Sequence, residues 1–230
     1  MNAQADGLMA FWSSIEPANQ LAFLRWHNCE HIPERVSIPG FLRGRRYRSV
    51  ADPERFLMFY ETRDDAVLSS PAYLAALNAP SRRTRDALGW FTKSTRTVFR
   101  LGDTAGAAPQ WTAPVLVTAR FVPGGVGTAP TLAALLDGGR FARVRTWRAH
   151  VDSASGRTSE SAIHGARADA SSLLLGESTR LDLLDVAEAQ AESRRALAAA
   201  LAIAPDDASI EVYSLEFALE APAAAHGRDG

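Results

Sequence analysis

Hydrophobic residues in the first half of the chain follow two periods, one typical of strands and one typical of helices. Strand-like runs, aromatic-rich, β-branched or alternating in polarity, cover residues 8–15, 41–50, 55–62 and 92–101. From Leu21 to Glu34, hydrophobic and ionisable residues recur at three- and four-residue spacing, which predicts a helix between the first two strands. A second helical stretch begins at Ser70-Pro71. The predicted order of elements is therefore β-α-β-β-α-β.

The second half repeats this order. Strands are predicted at 115–122, 141–151, 173–184 and 209–219, and helices at 130–136 and 188–203. A duplicated order of this kind is typical of two split βαβ units, each with a four-stranded antiparallel sheet that carries helices on one face only. Because each bare face has to be buried, we predict an α+β fold in which the two sheets pack as a barrel-like sandwich within one chain.

Composition divides the chain into two units. Residues 103–114 are rich in Gly, Ala and Pro, which is typical of a linker. We therefore predict a first unit over 1–102, which carries the candidate site, and a second unit over 115–220, which is degenerate and structural. Residues 221–230 are predicted to form a flexible tail.

Charge and cysteine content exclude several classes of protein. The 230 residues carry 25 basic and 26 acidic side chains, so no net field attracts nucleic acid or an anionic membrane. Alternate arginines on the second strand, Arg43, Arg45, Arg46 and Arg48, are typical of a solvated strand face. A single cysteine, a start without signal-peptide features and the lack of an 18-residue apolar stretch predict a cytoplasmic protein. The expected partner is a small-molecule substrate, and a homodimer is left open.

Ionisable chemistry is concentrated in residues 26–35. On a helix, His27 and His31 lie four residues apart, so both imidazoles can reach one pocket, and Glu30 shares part of that face. An imidazole with a neighbouring carboxylate is suited to proton transfer near neutral pH. The alternative is that these side chains are buried structural groups. Cys29 lies two residues from each histidine and is expected to be a small buried thiol.

A metal reading of the same residues is weaker. His27-x-x-Glu30-His31 matches an inverted zinc-peptidase pattern, but a peptidase needs a third ligand and another fold. The histidines with Glu30 or Glu34 could also form a metal site, and either histidine could bind haem. The sequence contains no phosphate-binding or dinucleotide-binding glycine motif. We therefore expect neither a metal nor a cofactor.

Several short motifs resemble one known family. They are Trp26-His27-x-x-Glu30-His31-Ile32-Pro33-Glu34-Arg35, Ile38-Pro39-Gly40-Phe41, Arg45-Arg46-Tyr47, Tyr60-Glu61 and Ser70-Pro71-Ala72-Tyr73. Together they resemble the EthD-like branch of the dimeric α+β barrel superfamily over residues 10–100. The resemblance implies two tandem ferredoxin-like units, and a superfamily that includes cofactor-free lyases, isomerases, cyclases and monooxygenases as well as haem enzymes.

These observations lead to one main functional hypothesis. The chain is interpreted as a cofactor-independent lyase, isomerase or cyclase that acts on a small apolar, aromatic or polyketide-like molecule. The candidate catalytic residues are His27, Glu30 and His31. The candidate substrate-binding residues are Trp26, Arg46, Tyr47, Tyr60 and Tyr73, and the sequence does not decide which of Arg46 and Tyr47 faces the pocket. The alternatives are a haem- or metal-dependent oxidoreductase, a cofactor-free monooxygenase, and a non-catalytic ligand-binding or assembly protein.

Overall fold

The first half of the chain places its helices between strands in the predicted order. The computed structural model describes residues 4–108, 111–122, 132–150, 158–168, 171–203 and 208–222. The elements of this half are β1 (Gly7–Ile15), α1 (Pro17–Trp26), a π-helical turn (His27–His31), α2 (Ile32–Val36), β2 (Phe41–Ser49), β3 (Arg55–Thr62), a 3₁₀ turn (Asp65–Ser69), α3 (Pro71–Asn78), α4 (Arg82–Leu88) and β4 (Phe91–Gly106). The starts of α3 and α4 follow from sequence, because Ser70 and Ser81 accept N-capping hydrogen bonds from the backbone there.

The second half has four long strands in the same order as the first half, and two short elements in addition, a helix over Ser159–His164 and a two-residue strand over Arg167–Ala168. Its elements are β5 (Val115–Phe121), α5 (Leu132–Asp137), β6 (Arg143–Ala149), α6 (Ser159–His164), β7 (Arg167–Ala168), β8 (Ser172–Ser178), a 3₁₀ turn (Leu181–Leu184), α7 (Ala187–Ala200) and β9 (Ala208–Glu220).

The strands close into a barrel. The first half forms the order β4-β1-β3-β2 and the second half the order β9-β5-β8-β6. The pairs β2–β9 and β4–β6, both antiparallel, join the two sheets at their edges and leave an eight-stranded closed barrel, with β7 added in parallel to β4. The predicted α+β class, with two tandem ferredoxin-like units whose sheets pack as a barrel within one chain, is confirmed.

Alternation along the strands sorts side chains into the barrel interior and the outer, helix-covered face. The interior contains an apolar cluster of Leu8, Ala10, Trp12, Tyr47, Leu57, Phe59, Phe99, Leu116, Trp147, Leu173, Leu175 and Tyr213. Met9, Phe11, Met58 and Tyr60 lie on the outer face of the first sheet and pack against the helices. The first half therefore has two separate buried regions, one on each side of its sheet.

Three of the differences between the structure and the predicted elements have a local cause. The strand predicted over 173–184 ends at Ser178, whose side chain accepts a hydrogen bond from the backbone of Arg180 and so begins the turn before Leu181. Strand β4 continues to Gly106, four residues into the predicted linker, because it pairs with β6 up to Arg143. Helix α6 was not predicted; it begins with a capping box between Thr158 and Ser161.

Other expectations are not settled by these elements. The division into domains stays a prediction, and residues 223–230 of the predicted tail lie outside the described residues. Among the helices that the structure describes, none has the length and apolar character needed to cross a membrane.

The prediction of a solvated arginine face on β2 is wrong. Arg43, Arg45 and Arg46 are all no more than 2% exposed. Arg43 and Arg45 form ion pairs with Glu61, while Arg46 lies on the helix-covered face and pairs with Glu216. Carboxylates on neighbouring strands allow these charges to be buried.

Candidate active site

A π-helical turn positions the two histidines of the candidate site. Pro33 has no backbone N–H and cannot continue a regular α-helix without a clash. The chain adapts by widening the preceding turn, His27–His31, so that the backbone N–H of Ile32 bonds to the carbonyl of His27, five residues earlier. Widened turns of this kind recur at functional sites. Here the two imidazole rings stack, with centroids 5.6 Å apart and planes inclined by 25°.

A glycine lets this helical segment approach the sheet. Gly44 lies on β2, on the same face as Arg46, and a Cβ atom there would lie 3.0 Å from both Ile32 Cγ2 and the Tyr60 ring. The missing side chain brings the start of α2 close to the strand that carries Tyr60. The histidines consequently lie against the outer face of the first sheet.

His27 is held as a neutral ring with both nitrogens engaged. Nη1 of Arg46 lies 3.1 Å from Nδ1 of His27, and because a guanidinium has only donors, Nδ1 accepts this bond. Burial, and after it the charge of Arg46, lower the pKa of His27 well below its ordinary value of 6.5. The neutral ring then carries its proton on Nε2, which donates to the Tyr60 hydroxyl at 3.3 Å. His27 therefore orients Tyr60 and has no nitrogen left to accept a proton from a substrate.

His31 differs from His27 in having a nitrogen that is not engaged. It is also neutral, because burial, Arg35, His27 and His164 all lower its pKa well below 6.5. Its Nδ1 is buried and has no hydrogen-bond partner among the described residues. Trp26 packs against the ring with 4.5 Å between centroids. Of the two imidazoles, His31 is the one that can exchange a proton with a ligand.

A cavity of about 40 Å³ lies beside these rings, between the first sheet and the helices. His27, His31, Tyr60 and Tyr73 contribute to its lining. Burial raises the pKa of Tyr60 far above its usual value of 10, so its hydroxyl stays protonated and can donate a hydrogen bond. The cavity therefore combines a neutral proton acceptor with a neutral hydrogen-bond donor, among apolar side chains and the charged Arg35, Arg96 and Glu160.

Helix α6 brings two residues of the second half to this cavity, and no sequence pattern connects them with it. Glu160 forms a buried ion pair with Arg35, and burial raises the pKa of Glu160. His164 packs edge-on against Phe11 with 5.0 Å between centroids, and burial, followed by Arg96, lowers its pKa to about 4. Arg35 also lines the cavity, and its position four residues after His31 on a helical segment indicates that the two side chains lie on one face.

Most of the predicted site residues are brought together. The cavity is lined by His27, His31, Tyr60 and Tyr73. Arg46 does not line it but donates a hydrogen bond to Nδ1 of His27. Trp26 packs on His31 and its Nε1 donates to Thr84 at 3.2 Å. Between Arg46 and Tyr47, which the sequence could not separate, Arg46 faces the helices.

Three predicted placements differ in the structure. The Glu30 carboxylate accepts hydrogen bonds from Ser81 and Thr84 at the start of α4, at 2.5 and 3.2 Å, so it does not orient an imidazole. Tyr47 lies inside the barrel, where its ring stacks on Phe59, because strand neighbours face opposite sides. Cys29 is exposed rather than buried, because it lies on the solvent side of the π turn.

The described residues form no metal cluster, and His27 is not free to bind a haem iron. In the described part of the chain, no group of three His, Cys, Asp or Glu side chains could hold a metal ion. Both ring nitrogens of His27 are already bonded to protein. The site as built is one of side-chain acid/base groups.

Three solved structures share this fold along nearly the whole chain. An anthrone oxidase-like protein is 13% identical, with a TM-score of 0.59 over 96% of this chain and 94% of its own. A proposed monooxygenase from Lactobacillus acidophilus is 8% identical, with a TM-score of 0.51 over 94% of this chain and 96% of its own. A proposed chlorite dismutase is 13% identical, with a TM-score of 0.51 over 92% and 96%. These likenesses establish the fold alone, a dimeric α+β barrel.

Sequence comparison adds nothing to this assignment. No protein-family model matches the chain, and no curated protein matches it.

Proposed function

We propose that this chain is a cofactor-independent enzyme that removes a proton from a small electron-rich aromatic molecule and lets the resulting anion react with O₂. The observation that carries this proposal is the buried, neutral imidazole of His31, whose Nδ1 has no hydrogen-bond partner among the described residues. An imidazole can act as a general base only in its neutral form, and the lowered pKa of His31 keeps the ring neutral at physiological pH.

Each neighbouring group has a definite role in this scheme. His31 takes the proton, and the Tyr60 hydroxyl, oriented by His27, donates a hydrogen bond to the oxygen on which negative charge develops. The aromatic rings of Trp26 and Tyr73 supply the apolar surroundings that an aromatic substrate needs. Glu30 has no part in this scheme.

The oxygenation step balances without a redox cofactor. For an anthrone-type substrate, loss of a ring CH₂ proton gives an anion that is oxidised by O₂. The anion adds O₂ to form a hydroperoxide, whose outer oxygen takes back the proton that His31 removed. Loss of the second hydrogen of the same carbon as a proton then breaks the O–O bond, leaves a carbonyl at that carbon and releases the outer oxygen as water, which carries both hydrogens of the former CH₂ group. An anthrone oxidase-like protein and a proposed monooxygenase among the structures of this fold support the choice of oxygenation over other fates of the anion.

A substrate of this size needs more room than the cavity offers. About 40 Å³ holds one or a few water molecules. Helix α6, which has six residues and covers the cavity with Glu160 and His164, is the element whose displacement enlarges it. The proposal therefore includes an outward movement of α6 when substrate binds.

The motifs from Trp26 to Tyr73 support placing the chain in the EthD-like branch of the superfamily. Lyase, isomerase and cyclase reactions would begin with the same deprotonation and differ only in that the anion does not meet O₂. We further propose a cytoplasmic protein that acts on a small molecule and does not bind nucleic acid or a membrane.

Oxygen uptake tests the proposal. Purified protein is mixed with anthrone and with hydroxylated anthrones and naphthols in air-saturated buffer, and uptake is compared with the buffer alone. We expect the protein to accelerate uptake, and His31→Gln to lose about 100-fold or more of that acceleration. Cys29→Ser, on the exposed side of the same turn, is the matched control and keeps full activity.

Two results would overturn the proposal. One is uptake no faster than in buffer across the panel, which would favour a binding or assembly protein. The other is a His31→Gln variant as active as the wild type. Conversion of the substrate in the absence of O₂ would replace oxygenation by lyase, isomerase or cyclase chemistry.

A further inference from the structure

The barrel interior contains a second cluster of charged residues, on the opposite face of the first sheet from the imidazoles. Arg43 on β2 pairs in register with Glu61 on β3, and Arg143 on β6 pairs in register with Glu177 on β8. The ion pairs match these registers, with Nε to Oε2 distances of 2.9 Å for Arg43–Glu61 and 2.5 Å for Arg143–Glu177. The two halves of the chain therefore contribute equivalent pairs.

A second arginine from each half pairs with the glutamate of the other half. Arg145 forms an ion pair with Glu61, and Nη1 of Arg45 lies 3.6 Å from Oε1 of Glu177. These four residues are all between 0 and 5% exposed. The two glutamates are thus shared among four arginines in a nearly symmetric, buried cluster.

This cluster carries more positive than negative charge. Burial alone would raise the pKa of Glu61, but Arg145, Arg45 and Arg43 outweigh burial and hold it well below the usual range. Glu177 is lowered in the same way by Arg145, Arg143 and Arg45. Both carboxylates are therefore ionised, and four arginines face two buried negative charges. Glu220, 3.7 Å from Nε of Arg43, has a side chain that is 51% exposed and compensates little inside the barrel.

A cavity of about 160 Å³ opens beside the excess charge. Arg43, Arg143 and Arg145 line it, together with small or apolar residues such as Ala5 and Leu101. Arg145 is 5% exposed, yet its Nε donates no hydrogen bond to any described residue, and its Nη2 lies 3.3 Å from Oε2 of Glu177 without forming a hydrogen bond. A buried guanidinium donor without a hydrogen bond is costly, and an anion in this cavity would supply an acceptor for Nε.

We propose that this cavity is a binding site for a small oxyanion that carries two negative charges, with Arg145, Arg143 and Arg43 as its cationic wall. The planar fork of donors on an arginine matches carboxylate and phosphate oxygens. A dianion neutralises the two excess charges of the cluster, and the cavity has room for phosphate or a short dicarboxylate. The site is separate from the imidazole cavity and does not depend on the proposed oxygenase activity.

Thermal unfolding in matched salts tests the site. The melting midpoint of the full chain is measured in increasing inorganic phosphate, sulfate or succinate, with chloride at equal ionic strength as reference. We expect at least one dianion to raise the midpoint saturably by about 3 °C or more beyond chloride. A response to phosphate and sulfate alone identifies a tetrahedral oxyanion, and a response to succinate alone identifies a dicarboxylate.

A tethered carboxylate makes the test specific to this cavity. Thr104 is exposed and lines the cavity, so Thr104→Glu places a negative charge at the binding site without disturbing the core. We expect Thr104→Glu to reduce the saturable response at least 10-fold in apparent affinity, while the matched Thr104→Gln keeps it. Arg145→Met is expected to lose the response as well.

The proposal fails if none of the three dianions exceeds chloride. It also fails if Thr104→Glu responds like the wild type, since the anion would then bind elsewhere on the molecule.

Discussion

Nη1 of Arg46 lies 3.1 Å from Nδ1 of His27, so a residue of the sheet determines which nitrogen of a helical histidine carries the proton. The same guanidinium donates through Nε to Glu216 at 2.9 Å and through Nη1 to Asn28 at 2.7 Å. His27, one of the two histidines that the sequence offers for acid/base work, is therefore fixed between a strand arginine and Tyr60. Of these two imidazoles, the one left with a buried nitrogen that bonds to no described residue is that of His31, one turn later.

Replacing Arg46 should change the titration of His27. In Arg46→Gln the nearby positive charge is lost, so the pKa of His27 should rise, although burial, the larger cause, still keeps it below 6.5. NMR titration of the imidazole Cε1–H signals measures this change. Arg48→Gln is the matched control, because Arg48 also pairs with Glu216 but does not contribute to lowering the pKa of His27. Equal titration in both variants would contradict the assigned contact.

Acid should destabilise the protein through its buried histidines. His27, His31 and His164 have lowered pKa values in the folded chain, whereas in the unfolded chain they take up protons as the pH falls through about 6.5. Below that pH the unfolded state binds more protons, so the free energy of unfolding falls by up to about 1.4 kcal/mol per pH unit for each histidine. For His164 this loss continues down to its folded pKa of about 4.

Urea unfolding between pH 7.5 and 5 measures this dependence. His164→Gln should lower the slope of the free energy of unfolding against pH by the contribution of one proton. The reason is that, in this pH range, the wild type protonates His164 only in the unfolded state. Glu160 has a raised pKa and so the opposite sign, but it is present in both proteins and cancels in the comparison. A slope unchanged by His164→Gln would mean that this imidazole is protonated in the folded chain.

The barrel could be predicted from sequence because two simple patterns determine it. Strand-like runs alternate with helical ones in the same order in both halves, and sheets with one bare face must cover each other. The sequence does not show which side of the sheet each β2 residue faces. Arg43, Arg45 and Tyr47 face one side and Arg46 the other, and the strands that pair with β2 decide which side is which. The arginine-rich strand was consequently predicted to face solvent, although carboxylates on other strands neutralise its arginines and so allow them to be buried.

The site was only partly predictable for similar reasons. His27 and His31 are close in sequence, so their proximity follows from helical spacing. The π turn, in contrast, adds a residue to one turn and rotates Glu30 toward Ser81, which regular 3.6-residue spacing cannot indicate. Glu160 and His164 lie on a short helix with little amphipathic pattern, more than a hundred residues away from the imidazoles.

One sequence repeat becomes meaningful only with the structure. Arg43-x-Arg45-x-Tyr47 recurs as Arg143-x-Arg145-x-Trp147, an interval of one hundred residues. Its meaning depends on Glu61 and Glu177, which lie at different distances along the chain and meet the arginines only through strand register. The repeat is recognised as a structural duplication when β2 and β3 are matched with β6 and β8.

Glu30 should matter to stability and not to catalysis. Glu30→Ala removes the acceptor for Ser81 and Thr84 at the start of α4, and we expect a loss of about 0.5–1.5 kcal/mol in the free energy of unfolding. Oxygen uptake should stay within about twofold of the wild type, in contrast to the loss expected for His31→Gln. A loss in Glu30→Ala as large as that of His31→Gln would restore Glu30 as the partner of an imidazole.

Cys29 should be chemically accessible in the folded protein. Because the residue is exposed, one thiol per chain should react with Ellman's reagent without denaturant, at a rate close to that of a cysteine-containing peptide. Absorbance at the thionitrobenzoate band follows the reaction, and Cys29→Ser gives the background. A reaction that needs denaturant would mean that the thiol is buried, as the sequence alone predicted.

The paired charges of the barrel interior predict matched losses of stability in the two halves. Glu61→Gln leaves Arg43 and Arg145 without their carboxylate in a buried setting, and removing one partner of a buried ion pair costs about 3–5 kcal/mol. Glu177→Gln should cost a similar amount, because Glu177 pairs with Arg143 and Arg45 as Glu61 pairs with Arg43 and Arg145. Urea unfolding at pH 7 measures both. Losses below about 1 kcal/mol in either variant would show that solvent, rather than the two glutamates, compensates the arginines, and a large loss in only one would show that the duplication of structure does not extend to its energetics.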